Sequence, residues 1–222
     1  MAIVVKHEIL ESIKNGELKF TPALDSLQFR PHAVDLRLGT TFRVPRRTFN
    51  VKRGSKGRTA VPLDHMAVNN GHFAVYDEID LKPGQYFDIL PGEWIMGFTM
   101  EKVHIKSNTL MGVLYPRSSV NRRGLAVDLT GIVDTGYNGR LMIPIHNTTS
   151  MQVIRVWPGE RICQLVLERL EQPVREGYQG RYFDKKKKIA GTYVPEKENR
   201  EIELIRSGDL KTIKKEFKQT AR

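Results

Sequence analysis

The sequence predicts a mainly β protein, a distorted antiparallel β-barrel or jelly-roll with an N-terminal helix and a C-terminal helical extension. From about 61 to 170, short β-type runs are separated by turn signals, a pattern typical of sandwiches and barrels. These turn signals are Lys82-Pro83-Gly84, Leu90-Pro91-Gly92, Tyr137-Asn138-Gly139 and Trp157-Pro158-Gly159. Neither a GxGxxG fingerprint nor a GxxxxGK[ST] loop occurs, so the αβ nucleotide-binding folds that use them are not indicated.

The first two elements follow from hydrophobic periodicity. Residues 7 to 18 predict a helix that the Asn15-Gly16 pair stops. Its apolar face comprises Ile9, Leu10, Ile13 and Leu18. From Ala33 onward apolar and polar residues alternate, which predicts a strand. Residues 45 to 60 are basic and contain glycine, which indicates an exposed loop.

The composition changes after Pro173, so we expect a main domain over 1–174 and a C-terminal segment with an amphipathic helix over 175–222. Residues 201 to 218 place apolar side chains at helical intervals, and packing on the body of the protein is preferred to a membrane or nucleic-acid contact. These apolar residues are Ile202, Ile205, Leu210, Ile213 and Phe217.

Composition narrows the class of protein. The 222 residues, 40% of them hydrophobic, suffice for one sizeable core, and no apolar run is long enough to span a bilayer. Cys163 is the only cysteine, which argues against disulfides and thiolate metal sites and fits a cytoplasmic location. The net charge of +11 suits phosphate-bearing partners. The Lys185 to Lys188 tract is interpreted as a solvated loop.

Four segments combine polar residues with turn glycines or prolines inside apolar β runs. They are 33–36, 116–119, 131–139 and 158–165. Taken singly, each has a structural explanation: a charge at a strand edge for Asp35, a surface turn at Arg117 and Ser118, a hairpin at Asp134, and the outer face of a strand for Arg161 and Gln164.

Together, and in this order, the four segments resemble the motifs of the dUTPase and dCTP deaminase superfamily. The resemblance extends from about residue 7 to 182. The leading helix and the runs at 35–39 and 117–125 are similar to the deaminase branch. The run at 131–139 and the Arg-Leu-Met-Ile that follows it are similar to the diphosphatase branch.

The resemblance implies a deoxyribonucleoside triphosphate site shared between the subunits of a homotrimer, with no membrane partner and no nucleic acid. Asp134 is the expected catalytic residue, which activates the attacking water. The expected nucleotide-binding residues are Arg117, Ser118, Ser119, Gly131, Val133, Tyr137, Gln164, Tyr178 and Arg181. Asp35 and Arg122 are expected to be supporting residues of the nucleotide site. The resemblance also implies Mg²⁺ held by the phosphates, without a cluster of protein ligands.

The reaction depends on residue 144. Deaminases of this superfamily use a glutamate on the strand after the hairpin, and the matching residue is Pro144, which cannot transfer a proton. We therefore expect hydrolysis of dUTP to dUMP and pyrophosphate. One alternative is dCTP deamination, alone or combined with hydrolysis, in which His146 would take the place of the missing glutamate. The other is a nucleotide-binding regulator without turnover. The closing arm is also unusual, because residues 177–183 lack the Gly-Gly-Phe-Gly run of trimeric dUTPases.

Overall fold

The computed structural model describes residues 2–45, 76–127, 131–178 and 196–218. Apart from Pro45, the basic loop at 45–60 lies outside these ranges, as does the lysine tract at 185–188. The strands are β1 (Ala2–Ile3), β2 (Leu18–Thr21), β3 (Val34–Pro45), β4 (Tyr76–Asp80), β5 (Phe87–Ile89), β6 (Trp94–Ile105), β7 (Leu110–Pro116), β8 (Leu125–Val127), β9 (Ile132–Val133), β10 (Asn138–Asn147), β11 (Ile154–Val156) and β12 (Arg161–Arg169). The helices are α1 (Lys6–Lys14), α2 (Ser118–Asn121), α3 (Glu196–Ser207) and α4 (Leu210–Glu216).

The described strands form one large curled sheet and one small ribbon. The large sheet has the order β8-β10-β6-β3-β12-β7-β9, with β1 added to β12, β2 to β6 and β4 to β3. Strands β5 and β11 form the ribbon. Every pairing is antiparallel. The predicted fold class, a mainly β antiparallel barrel or jelly-roll, is confirmed.

The core forms where the inward-facing residues of the long strands meet. Along β10 the buried residues Leu141, Ile143 and Ile145 alternate with half-buried ones, as a two-residue period requires. The start of β3 is different, because Val34, Asp35 and Leu36 are all buried. Both faces of this strand are therefore covered, and a carboxylate lies within the protein.

The N-terminal helix is confirmed, with one correction at its end. Helix α1 covers Lys6–Lys14, and Asn15 caps it before Gly16 adopts a φ of +75°. At its start, the N–H of Val5 donates to the Glu8 carboxylate at 3.0 Å. Leu18, counted in the sequence as part of the apolar helix face, instead begins β2, since the left-handed glycine turns the chain before it.

Three of the four predicted turns are confirmed, with left-handed Gly84, Gly92 and Gly159. The fourth, at Tyr137-Asn138-Gly139, is wrong, because Asn138 and Gly139 already belong to β10. The chain turns earlier, where the N–H of Tyr137 donates to the carbonyl of Asp134 at 3.0 Å and Gly136 has a φ of +83°.

The predicted C-terminal helix is two helices, α3 and α4. Gly208, with a φ of +75°, separates them, and the Asp209 side chain caps α4 by accepting the N–H of Thr212. Ile202 is buried, whereas Ile205, Leu210 and Phe217 are exposed. Only part of the predicted apolar face is therefore covered. No helix in the described ranges is long and apolar enough to cross a membrane.

Candidate functional site

A buried carboxylate organises one end of the sheet. Asp35, which is 0% exposed, accepts Nε of Arg30 at 2.9 Å, and Nε of Arg117 and Nη1 of Arg161 at 3.3 Å each. Its second oxygen accepts Nε2 of Gln164 at 3.0 Å. We call these five residues the arginine cluster. Three guanidinium groups around one carboxylate leave positive charge in excess, which suits a phosphate ligand.

Arg117 is held with part of its guanidinium unused. It follows β7 directly, and its Nη1 donates to the carbonyl of Arg161 at 2.8 Å, while its Nη2 has no partner among the described residues. Burial lowers the pKa of Arg117, and the charge of Asp35 opposes this effect. The side chain is thus a fixed, charged donor with free hydrogen-bonding capacity.

The residues after Arg117 extend this polar end. Ser118 and Ser119 are exposed at the start of α2. Nη2 of Arg122 donates to Oγ of Ser118 at 2.9 Å, and Nε of Arg122 donates to its carbonyl. Because the serine hydroxyl accepts from Arg122, its own hydrogen is free to donate to a ligand oxygen.

A bulge brings Arg161 and Gln164 to the same carboxylate. In a regular strand, residues three apart point to opposite faces. The register of β12 against β3 shifts between Arg161 and Cys163, and after this shift Gln164 lies opposite Asp35. Both side chains therefore reach Asp35. The Cys163 between them is buried, which raises the pKa of its thiol and makes it unsuited to act as a nucleophile.

Arg30 and Arg161 are the two members of the arginine cluster that the sequence motifs did not identify as site residues. Arg30 lies in the loop before β3, where the N–H of Asp35 donates to the carbonyl of Gln28 and closes the loop on the strand. The one sequence signal for Arg30 was its position just before a strand that carries the inward-pointing acid Asp35. Arg161 was placed with Gln164 on the outer face of a strand, without a role in the site.

The second group of predicted residues lies at the Asp134 turn. Asp134 is exposed, and its carboxylate has no partner among the described residues. Val133 before it is buried, and Gly131 accepts the N–H of Leu114 through its carbonyl. Tyr137 is only 6% exposed and donates its hydroxyl to the carbonyl of Arg140 at 2.9 Å. The tyrosine is therefore fixed, with little of its ring accessible in a single chain.

The segment after β12 is anchored on this turn. The N–H of Tyr178 donates to the carbonyl of Thr135 at 2.8 Å, and the Tyr178 and Tyr137 rings are 5.7 Å apart. A Cβ on Gly136 would lie 2.9 Å from Cα of Gly177. Tyr178 therefore lies beside the turn, whereas Arg181, the other residue expected in the closing arm, lies outside the described residues.

Gly136→Ala is expected to disrupt this anchoring. An alanine there must adopt a φ of +83° and overlap the Gly177 backbone, so the turn and the following segment must separate. We expect turnover to fall by more than tenfold, and limited proteolysis to cut faster after residue 170. Gly84→Ala, a left-handed glycine with nothing within 4 Å of its Cβ, is the matched control. Equal effects of the two substitutions would contradict the packing argument.

Within one chain the two groups are far apart. Strand β9 pairs with β7 so that Gly112 lies opposite Val133. Asp134 is therefore level with Met111, six residues before Arg117, which corresponds to about 20 Å along an extended strand. The arginine cluster and the Asp134 turn do not meet in a single chain.

The face of β10 that carries Pro144 has no carboxylate at that position. Met142, Pro144 and His146 are half-buried and alternate with core residues. Pro144 lies opposite Met96, and His146 lies opposite Trp94. His146 thus shares a face with Pro144 but is two residues away. Among the described residues no group of three acidic, histidine or cysteine side chains could hold a metal ion.

Comparison with known proteins identifies the family. A family model described as dCTP deaminase-like matches residues 3–170. A protein from Methanobrevibacter smithii named "dCTP deaminase, dUMP-forming" is 34% identical over 180 residues, 80% of this chain and 86% of that protein. A dCTP deaminase from Alteromonas mediterranea is 31% identical over 188 residues, 83% of this chain and 90% of that protein. The chain belongs to the dCTP deaminase-like family, and the resemblance drawn from its motifs is confirmed.

A solved structure supports the fold. The 2'-deoxycytidine 5'-triphosphate deaminase from Agrobacterium tumefaciens has a TM-score of 0.56 and 23% identity, over 76% of this chain. This chain spans about half, 49%, of that longer chain. The motifs alone favoured the diphosphatase branch, whereas the relatives carry deaminase names, among them the M. smithii and A. mediterranea proteins at 34% and 31% identity. The branch therefore has to be decided from the chemistry of the site.

Proposed function

We propose that this protein hydrolyses a pyrimidine deoxyribonucleoside triphosphate to the monophosphate and pyrophosphate. The arginine cluster supports this proposal most strongly, because its excess positive charge and partly free guanidinium suit a triphosphate. The same step would form dUMP from dUTP whether the dUTP is taken up directly or produced from dCTP.

The phosphate end would be bound by Arg117, Ser118 and Gln164. Mg²⁺ fits this site when it is carried by the phosphate oxygens, since the arginine-rich donor set repels a free cation and no acidic cluster occurs among the described residues. When bound, Mg²⁺ would neutralise charge on the phosphates. Gln164 is held by Asp35, so its remaining amide groups have a fixed direction.

Asp134 would hold the attacking water. Its carboxylate is exposed and unpaired among the described residues, while the backbone of its turn is fixed by the bonds to Tyr137 and Tyr178. A carboxylate on a rigid turn can take a proton from water as the water attacks the phosphorus. Tyr137 would lie against the deoxyribose.

The site would be completed by a neighbouring subunit. Arg117 and Asp134 must both contact one triphosphate, yet they lie about 20 Å apart along β7 in one chain. A closed ring of subunits brings different parts of the surface together at each interface. We infer a homotrimer in which one subunit supplies the arginine cluster and the next supplies the Asp134 turn.

A second function, dCTP deamination followed by hydrolysis, is favoured by the names of the relatives. The M. smithii and A. mediterranea relatives, at 34% and 31% identity, are named dCTP deaminases, and the name of the M. smithii protein describes it as dUMP-forming. This function requires a proton carrier near the cytosine ring. Pro144 has none, and His146 is the nearest candidate on the same face of β10.

Product analysis separates the two functions. We expect dUTP with Mg²⁺ to give dUMP and pyrophosphate, whereas formation of dUMP or dUTP from dCTP would establish deamination. Tight nucleotide binding without any product would instead indicate a regulator. Pro144→Glu provides the sharper test: if the missing carboxylate is what prevents deamination, this variant is expected to gain dCTP turnover. Pro144→Gln, of similar size but unable to act as an acid or base, is the control.

A further inference from the structure

Arg30 is fixed against the same carboxylate as Arg117. Its Nε and Nη2 both donate to Oδ2 of Asp35 at 2.9 Å, and its side chain is 36% exposed. Its own N–H donates to the carbonyl of Ala33 at 2.9 Å, so the backbone of the loop is also fixed. A guanidinium held in this way, with one edge open to solvent, is preorganised to bind a ligand.

The charge around Arg30 is not balanced by the protein. Arg30, Arg117 and Arg161 share the single charge of Asp35. The other buried carboxylate nearby, Glu101, accepts the neutral Nε2 of Gln28 at 2.7 Å and the N–H of Arg37 at 2.9 Å. If the charge of Glu101 is counted together with that of Asp35, the three arginines still carry one unbalanced positive charge.

Two neighbouring arginines differ, because each has an acid of its own. Arg37 pairs with Asp25 at 2.8 Å, and Arg123 pairs with Glu160 at 2.8 Å. Neither of these pairs adds to the excess at Asp35, and an anion is the partner that would neutralise that excess.

We propose that Arg30 is a further phosphate-binding residue, positioned by Asp35 beside Arg117 and Arg161 to bind the polyphosphate part of the substrate. This inference rests on the proposed function for the identity of the ligand. The geometry assigns Asp35 a positioning role, since it is buried and reaches ligand only through the arginines and Gln164.

The test uses inorganic tripolyphosphate as the probe, with binding measured by calorimetry on the full chain. Arg30→Gln is expected to weaken binding about tenfold, the loss of roughly one charge-assisted hydrogen bond. Arg155→Gln removes an arginine of the exposed Asp88 pair and is the matched control, expected to bind as the unmodified protein does. Arg30→Lys keeps the charge and should bind more tightly than Arg30→Gln. Equal affinities of Arg30→Gln, the control and the unmodified protein would overturn the inference.

Failure of this inference is separable from failure of the proposed function. If nucleotide hydrolysis is found and tripolyphosphate binds Arg30→Gln at full strength, only the role of Arg30 is wrong. If binding depends on Arg30 and no nucleotide is hydrolysed, the anion site stands and the proposed reaction is wrong. Thermal unfolding of each variant shows whether a lower affinity reflects lost folding. If Arg30→Gln does not fold, the tripolyphosphate affinity of Arg30→Lys, compared with that of the unmodified protein, tests the role of Arg30.

Discussion

Asp134→Asn is expected to abolish pyrophosphate release while nucleotide binding persists. The amide has nearly the shape of the carboxylate but cannot take a proton from water, so the chemical step should slow by about 10²–10⁴-fold. The backbone of the turn is held by bonds that do not involve this side chain, so its structure should be retained. Single-turnover product formation measures the reaction, and a nonhydrolysable analogue measures binding. Substantial residual hydrolysis would remove Asp134 from the role of water activator.

The same variant tests whether the site is shared. Arg117→Gln should also be inactive, through loss of a phosphate donor. If the two residues act from different subunits, an equal mixture of the two variants, dissociated and reassembled, contains sites with both residues intact. For random assembly of a closed trimer we expect about a quarter of the normal activity. No recovery, with trimers shown to have formed, would place both residues of each site in one chain.

Asp35→Asn is expected to have the largest effect on stability. It leaves three guanidinium groups facing one another without the buried charge that holds them. Removing one partner of a buried ion pair typically costs several kcal/mol, and we expect about 3 kcal/mol because the arginines are partly hydrated. Urea unfolding measures the change.

A control and a rescue make the cause of this effect identifiable. Asp88→Asn removes an acid from the exposed Arg155 pair and should leave the unfolding midpoint almost unchanged. If repulsion between guanidinium groups destabilises Asp35→Asn, tripolyphosphate should raise its midpoint more than that of the unmodified protein. A loss of stability that tripolyphosphate does not reverse would point to packing instead.

The sequence predicted the strands and the first helix because these depend on local periodicity. It also identified Asp35, Arg117 and Gln164 as site residues, and the structure joins them in one cluster. Arg161 was not expected at Asp35, since its position there depends on a bulge that no single-strand period reports. The turn at Asp134 was placed too late because Asn138-Gly139 is a strong turn signal that strand pairing overrides.

Other features were not indicated by the apolar spacing or the motifs. The break at Gly208 turns one amphipathic pattern into two helices, and the apolar spacing did not indicate it. Arg30 is five residues from Asp35 and joins it only because the loop closes back on β3. The choice between hydrolysis and deamination depends on one side chain, Pro144, in a strand that otherwise fits the family.

The contact between Gly136 and Gly177 acts as a tether within each subunit. Gly177 and Tyr178 lie beside the Asp134 turn of their own chain, so the Tyr178 side chain has a high effective concentration there. In a shared site, Tyr178 would accompany the subunit that supplies Asp134. A substitution at Tyr178 would then affect that half of the site while leaving the arginine cluster of the neighbouring subunit untouched.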